Sequence, residues 1–329
     1  MNRKINGKRN GRPAKRNIYI YMLPVFILAA FAFLYLIRGA LAGAGKPGGV
    51  SGNDADGRGG AGICFFDVGQ GDSIFLWSGE ASVLIDTGEQ KYGGMLIDEL
   101  RRRGVSRIDV LIGTHPHGDH IGGMHDIIGA FSIGKLYFPH VYNNTKQFEQ
   151  ALTAVARKGL RINAPADGET LTLPGGMELS FLGPAFEDGA NINNSSIVIK
   201  AVFTGVEALT LETGAGGRDT VPPGGDSGGG TFTVLLTADT EHDAEAYLLE
   251  CGADLSADVL KVGHHGSATS TGAEFLEAVN PSYAVIQCGG DNPYGHPDAG
   301  VVDLLASRNA TILRTDVDGT VSFYVKRVK

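Results

Sequence analysis

The chain has 329 residues, enough for one large domain or two small ones with a substantial core. Its 28 basic and 36 acidic residues are unevenly spread: eight Lys and Arg fall in residues 1–38 without an acid, and the remainder carries a formal charge of −16. That balance excludes a body that grips nucleic acid through a broad basic surface. The three cysteines, Cys64, Cys251 and Cys288, have no zinc-ligand spacing and read as buried free thiols.

In chain order, seven basic residues precede "IYIYMLPVFILAAFAFLYLI" (18–37), which carries no charge over twenty residues. That length crosses a hydrocarbon core of ~30 Å. The basic flank should stay cytoplasmic, so residues 1–17 form a tail, 18–38 an uncleaved anchor, and the rest faces outward. The cleaved alternative uses "ALAGA" (40–44), but secretory apolar regions run ~7–15 residues and Arg38 interrupts the approach. Residues 39–62 are Gly-, Ala- and Asp-rich and read as a flexible tether.

From Ile63 strands and helices alternate. Strands are predicted at 63–68, 73–77, 82–86, 109–114, 135–139, 169–173, 177–183, 196–203, 231–239, 258–263, 283–289, 311–315 and 320–325. Helices are predicted at 93–103, 121–131, 145–158, 241–251, 272–279 and 298–308, with Thr240 capping the fourth. The pattern predicts a layered α/β domain over 63–329 with polar loops converging at strand ends. Residues 205–230 hold nine glycines and two prolines, and read as a mobile hairpin insertion, either a surface loop or a lid.

"THPHGDH" (114–120) places three histidines and an aspartate where a buried strand gives way to a helix. His115 and His117 are two apart and project to one side of extended chain. Gly118 permits a turn, and Asp119 and His120 follow it. One loop can therefore offer two imidazoles to one metal, and a carboxylate with an imidazole to a second. Other strands end in metal-capable residues: Asp239 in "VLLTADTE", and His264 and His265 in "DVLKVGHHGS". His296, between Gly295 and Pro297, reads as a substrate contact, a general acid or a turn residue.

"FFDVGQGDSIFL", "LIDTG", "THPHGDHIGG", "NNSSIVI", "LLTADTE", "LKVGHHGS" and "YGHP" occur in that order over 63–325. Together they resemble a metallo-β-lactamase-fold hydrolase. "DVGQGDS" with "HHGS" is similar to the hydrolase domain of the ComEC competence family. The resemblance implies an αββα sandwich of two β-sheets flanked by helices, with a metal site along one edge. It implies two divalent ions, Zn2+ or Mn2+, with His115 and His117 on the first and Asp119 and His120 on the second. Asp239 would bridge them, and one of His264 and His265 would complete the second site while the other meets substrate. Asp86 and Asp72 would orient ligands from behind. The third histidine of lactamase enzymes is replaced within "NINNSS", so Asn193 or Asn194 would approach the first metal or the substrate, with Ser267 beside them. The glycine that usually precedes the bridging Asp is Ala238, a small change.

A bridged metal pair activates water near neutral pH, with Asp119, Asp239 and His265 holding the reacting centre. Lys261 would add positive charge if it faces the site, or is a solvated strand residue. The expected activity is phosphodiester hydrolysis, with single-stranded DNA or a nucleotide as first substrate and a DNA-uptake channel as partner. A wall phosphodiester, a small ester, thioester or lactam, and a non-catalytic DNA- or wall-binding role are the alternatives.

Overall fold

The computed structural model describes residues 60–79, 81–183, 186, 190–221 and 230–328. The predicted anchor at 18–38 lies outside them, as does the tether up to residue 59; among the described residues no helix is long and apolar enough to cross a membrane.

The first half begins with β1 (Ala61–Phe65), β2 (Ile74–Ser78) and β3 (Ala81–Ile85), a meander of buried strands. Helix α1 (Gly93–Arg102), strand β4 (Arg107–Ile112), short helices α2 (Gly118–Ile121) and α3 (Met124–Ala130), and β5 (Ser132–Tyr137) follow. Helix α4 (Lys146–Lys158) starts where the Thr145 side chain accepts a hydrogen bond from Phe148 N and stops at left-handed Gly159. Its Phe148, Ala151, Ala154 and Val155 recur on one face, which is the face it buries. The half closes with β6 (Ile162–Asn163).

The second half contains β7 (Thr170–Leu173), β8 (Met177–Phe181), β9 (Ile199–Thr213), β10 (Arg218–Val221) and β11 (Gly230–Leu236). Helix α5 (His242–Glu250), β12 (Val259–Lys261), α6 (Ala273–Val279) and β13 (Tyr283–Ile286) come next. Helix α7 (Ala299–Ser307), β14 (Thr311–Arg314), the single turn α8 (Thr315–Asp318) and β15 (Val321–Arg327) complete it.

Hydrogen bonding runs in the order β14-β13-β12-β11-β9-β15-β1-β2-β3-β4-β5-β6, with β7 and β8 on the free edge of β9 and β10 beside its far half. The chain's longest strand makes this continuity. Residues 199–206 of β9 pair with β8 and β11, and residues 206–213 pair with β15 and β10. Both the β11 and β15 ladders shift register around Gly205, whose φ of +71° is open to glycine and costly to other residues. The strand turns a corner there and passes from one sheet into the other. Val321 of β15 pairs with both Phe65 and Thr213, so β9 returns to the sandwich edge at which β1 ends.

Three apolar clusters build the expected αββα layers. Phe65, Ile85, Ile112, Phe181, Phe203, Leu236, Val285 and Phe323 fill the space between the sheets. Leu84, Leu111, Met124, Ile128 and Phe148 lie between the first sheet and its helices. Leu235, Leu248, Leu260, Leu276 and Leu305 do the same for the second. β3-β4-β5 and β12-β13-β14 are parallel, so each set delivers its carboxyl ends to one edge.

Several expectations change. Residues 205–213 are not a mobile insertion: Val206, Leu209 and Leu211 turn inward and belong to the core, with the β15 pairing skipping Glu207 between the first two. Residues 222–229 lie outside the described residues; the residues bracketing them, Val221 and Gly230, pair with Leu209 and Val206 near the corner. The lid reading falls on residues 222–229 and so lies outside the described residues. The predicted helix at 121–131 breaks at Gly122 and Gly123, where a Cβ would sit 2.5 Å from Gln90 N or 2.7 Å from Thr87 O. Thr240 does not cap α5; its hydroxyl donates to Thr237 O at 2.6 Å and Glu241 takes the cap position. Cys251 is exposed at the end of α5, while Cys64 and Cys288 are buried as expected.

Candidate metal centre

The loop after β4 starts at Thr114, and Asp86, just past β3, holds it from behind. One Asp86 oxygen accepts from Thr114 N at 2.8 Å and the other from Thr114 Oγ1 at 2.6 Å. That second oxygen also lies 2.8 Å from His120 Nδ1, which fixes the ring with Nε2 free for the site. A second brace comes from the turn after β1. Gly71 has φ +140°, and a Cβ there would stand 2.3 Å from Asp119 O, so the two loops meet backbone to backbone. Asp72 N donates to the same carbonyl at 3.2 Å.

Four histidines from two chain segments converge on Asp239. Its Oδ1 lies 3.1 Å from His120 Nε2 and 3.4 Å from His265 Nε2; its Oδ2 lies 3.6 Å from His115 Nε2 and 3.7 Å from His264 Nε2. His265 Nε2 also faces Asp119 Oδ2 at 3.4 Å, and His115 Nε2 is 3.0 Å from His117 Nδ1. These contacts divide the donors into two sets sharing Asp239: His115 and His117, and Asp119, His120 and His265. Within each set the donor atoms lie within 4.8 Å of one another.

The fit to divalent ions rests on three atoms. His120 Nε2, Asp239 Oδ1 and His265 Nε2 are buried, lie 3.1 and 3.4 Å from one another across Asp239, and make no hydrogen bond to any group outside the His/Asp cluster. Buried polar atoms that only one another can satisfy are costly, and a cluster of them suits a ligand that all three can hold. Imidazole with carboxylate and no thiolate suits zinc or manganese.

Electrostatics differ between the sets. Burial, reinforced by the charge on His120, pushes His115 well below the ordinary imidazole value, and burial also lowers His117. Burial opposes charge on His120 too, but the carboxylates of Asp239 and Asp86 override it and raise that imidazole well above normal. Burial is likewise overcome at His265, which Asp239 and hydrogen bonds to Asp119 and Asp72 raise to about 10. Asp239 is held far down despite burial, by His120 and His265.

The two adjacent histidines, equivalent in the sequence, separate in space. His265 is buried, with Nδ1 2.9 Å from Gln287 O, and belongs to the second donor set. His264 is on the rim, with Nδ1 3.1 Å from Glu241 Oε1. Both carry positive φ, as do Asp86 and Ala238, so four non-glycine residues in sparsely allowed backbone surround the centre.

Lys261 is fully buried, which rules out a solvated strand residue. Its Nζ is 2.8 Å from Asp72 Oδ2 and donates to Val262 O at 2.9 Å. Its charge thus stands behind the centre and reaches His265 through Asp72, whose Oδ1 is 3.4 Å from His265 Nδ1. Asn194 is buried and accepts from Glu241 N at 2.9 Å; Asn193 Nδ2 donates to Glu241 Oε1 at 3.0 Å and lies 3.5 Å from His264 Nε2. Asn193 therefore stands at the rim, and Asn194 shapes the loop. Ser267 is buried and its hydroxyl pairs with Thr269 Oγ1 at 3.0 Å, inside the loop.

His296 is half-buried, its ring 5.5 Å from that of His264 and 6.3 Å from that of His265. Gln70 Oε1 accepts from Gly289 N at 3.2 Å, which turns its amide Nε2 toward His296 Nδ1 at 3.4 Å. Two residues that sequence reasoning missed are Glu241, which ties Asn191, Asn193 and His264 together, and Gln287, whose Nε2 donates to Phe66 O and Ser73 O. "TADTE" placed an acid two residues past Asp239, the one available signal for Glu241; Gln287 carried none.

An αββα sandwich with a buried His/Asp cluster at the strand tips defines a class of metal-dependent hydrolases. Residues 66–290 match the model of the metallo-beta-lactamase superfamily, and the chain belongs to that superfamily. It is 32% identical over 282 residues to ComE operon protein 3 of Bacillus subtilis (strain 168), which covers 80% of this chain and 33% of that protein. It is 28% identical over 320 residues to competence protein ComA of Neisseria gonorrhoeae, covering 93% and 39% respectively. The chain thus spans less than half the length of either relative. Among solved structures it is similar to the metallo-beta-lactamase fold protein YhfI of Bacillus subtilis, with TM-score 0.49 and 13% identity over 79% of this chain and 98% of that one.

Proposed function

We propose that this protein is a membrane-anchored phosphodiesterase whose domain faces outward and whose substrate is single-stranded nucleic acid. The reading of the reaction is carried by the buried cluster in which His120 Nε2, Asp239 Oδ1 and His265 Nε2 meet with no partner outside the His/Asp set. A divalent pair held by His115, His117, Asp119, His120, Asp239 and His265 would supply Lewis acidity and activated water. The anchor rests on the uncharged stretch 18–37 and its basic flank. The nucleic-acid substrate is supported by the likeness to a competence protein, ComA of Neisseria gonorrhoeae, and by the resemblance of "DVGQGDS" and "HHGS" to the ComEC competence family.

The chain's own residues do the rest. Asp86 and Gln287 O hold the Nδ1 sides of His120 and His265, so both rings present Nε2 to the centre. Gln70 donates to His296 Nδ1, so the neutral ring of His296 carries its proton on Nε2. Burial, then the charges of His265 and His264, lowers its pKa and keeps it neutral near pH 7. A neutral N–H at the rim suits a hydrogen-bond donor to a phosphate oxygen, not an acid that gives up its proton. Asn193 adds a neutral amide beside His264.

The formal charge of −16 on residues 39–329 supports a second substrate, a short or wall-borne phosphodiester that needs little basic surface. The test is hydrolysis of bis(p-nitrophenyl) phosphate by the full chain in detergent, supplied with zinc or manganese, beside Asp239→Ala. The proposal expects turnover that the variant loses. Turnover equal in both, or absent from the wild type with metal bound, contradicts it.

A further inference from the structure

Large apolar side chains that stay exposed are few among the described residues, and two of the six are tyrosines: Tyr142 at 74% and Tyr294 at 68%. Both sit at the metal-centre edge, one on each half of the sandwich. Tyr294 stacks on His296 with ring centroids 5.6 Å apart and planes 25° apart. His296 in turn stacks on His265, at 29°. A ladder of rings therefore runs from solvent to a buried donor of the centre. Asn292 fixes its outer end: its Oδ1 accepts from Tyr294 N at 3.2 Å and from His296 N at 3.0 Å.

Tyr142 lies in the segment before α4, and its neighbour Asn143 donates to Pro116 O at 2.8 Å, between His115 and His117. The ring meets Phe148 in a T-shaped contact at 5.7 Å and remains largely exposed. A cavity of about 410 Å³ opens beside it, lined also by Asn143, Thr145, Phe148 and Leu152.

Neither tyrosine serves the core, and the rim groups near the centre include four amides, Gln70, Asn143, Asn193 and Asn292, beside the carboxylate of Glu241. An edge with exposed flat rings, on a body of formal charge −16, has little counter-charge to offer a polyanion beyond the metal site itself. It can hold one by its bases, since every base has a face to stack. We propose that Tyr294 and Tyr142 are base-stacking platforms on either side of the metal centre, and that they bind a single strand whose intervening phosphodiester lies at His264, His296 and the donor cluster. This rests on the phosphodiesterase reading and adds the residues that select nucleic acid.

The experiment measures binding of an eight-residue thymidine strand and of its abasic counterpart to the zinc-loaded full chain in detergent. Wild type, Tyr294→Ala, Tyr294→Phe and Tyr142→Ala are compared at two salt concentrations. The wild type should prefer the thymidine strand by about 5- to 150-fold for each base stacked. Tyr294→Ala and Tyr142→Ala should each lose part of that preference without weakening the abasic strand, Tyr294→Phe should keep it, and salt should change it little. Equal binding of the two strands by the wild type, or a loss that falls equally on both strands, overturns the proposal. Failure of either strand to bind, with bis(p-nitrophenyl) phosphate still hydrolysed, overturns it and leaves the phosphodiesterase standing. Base-dependent binding without hydrolysis of either compound supports the platforms and removes the phosphodiesterase.

Discussion

Lys261 Nζ stands 2.8 Å from Asp72 Oδ2, with neither side chain exposed to solvent. The pair links strand β12 to the turn after β1, and Asp72 touches His265. Removing one partner strands the other charge in the interior, which costs about 3–5 kcal/mol. Lys261→Met should lose about that much in denaturant unfolding, and Asp72→Asn combined with it should lose less than the two single changes added together. Strict additivity would show that the two charges do not stabilise each other.

Ala238 holds φ +47° immediately before Asp239. Left-handed backbone costs an L-residue about 1–2 kcal/mol, partly offset by the entropy that glycine loses on folding. Ala238→Gly should therefore stabilise the protein by about 0.5–1 kcal/mol. A lower unfolding midpoint in the variant would mean that the surroundings, not the backbone, set the residue's energy. The replacement of the usual glycine is thus more than a change of size.

The two donor sets should respond differently to protons. In the metal-free protein at pH 7, His120 and His265, both raised, carry an extra proton, while His115 and His117, both lowered, are neutral. A ligand must be deprotonated to bind a metal, so filling the second set should release about two protons and should be favoured by rising pH. Titrating zinc by calorimetry in buffers of different ionisation enthalpy measures this. Heats independent of the buffer would contradict the assignment.

Cysteine reactivity tests the burial pattern. Cys251 is exposed, whereas burial raises Cys64 and, with Asp316 at 3.3 Å, raises Cys288 to about 12. The thiolate is the nucleophile, so Cys288 has almost none at pH 8. Iodoacetamide at that pH should label one thiol per native chain and all three after denaturation. Labelling of Cys288 in the native protein would place it at the surface.

The centre was largely legible because its donors arrive in short clusters at the ends of apolar runs: 114–120, Asp239 and 264–265. Which of His264 and His265 turns inward was not, since the local pattern is the same for both and the choice depends on positive φ at each and on Gln287 O. The burial of Lys261 was hidden for a similar reason: its partner, Asp72, belongs to a distant stretch of chain. Around 205–213 the glycines on either side, and a break in the alternation between Val206 and Leu209, obscured a strand whose Val206, Leu209 and Leu211 face the core while Gly205 makes the corner. The helices were read within a residue or so where caps and periodicity agreed, as at α4, and failed where packing of Gly122 against Gln90 broke the turn.

The most direct test counts metal. The full chain, purified without chelator and incubated with zinc, is analysed for bound ions beside Asp239→Ala, the residue whose two oxygens face both donor sets. About two ions per wild-type chain, with most of that content lost in the variant at unchanged secondary structure, is the predicted result. A wild-type protein that stays metal-free with zinc and with manganese would contradict the claim that His115, His117, Asp119, His120, Asp239 and His265 form a divalent metal centre.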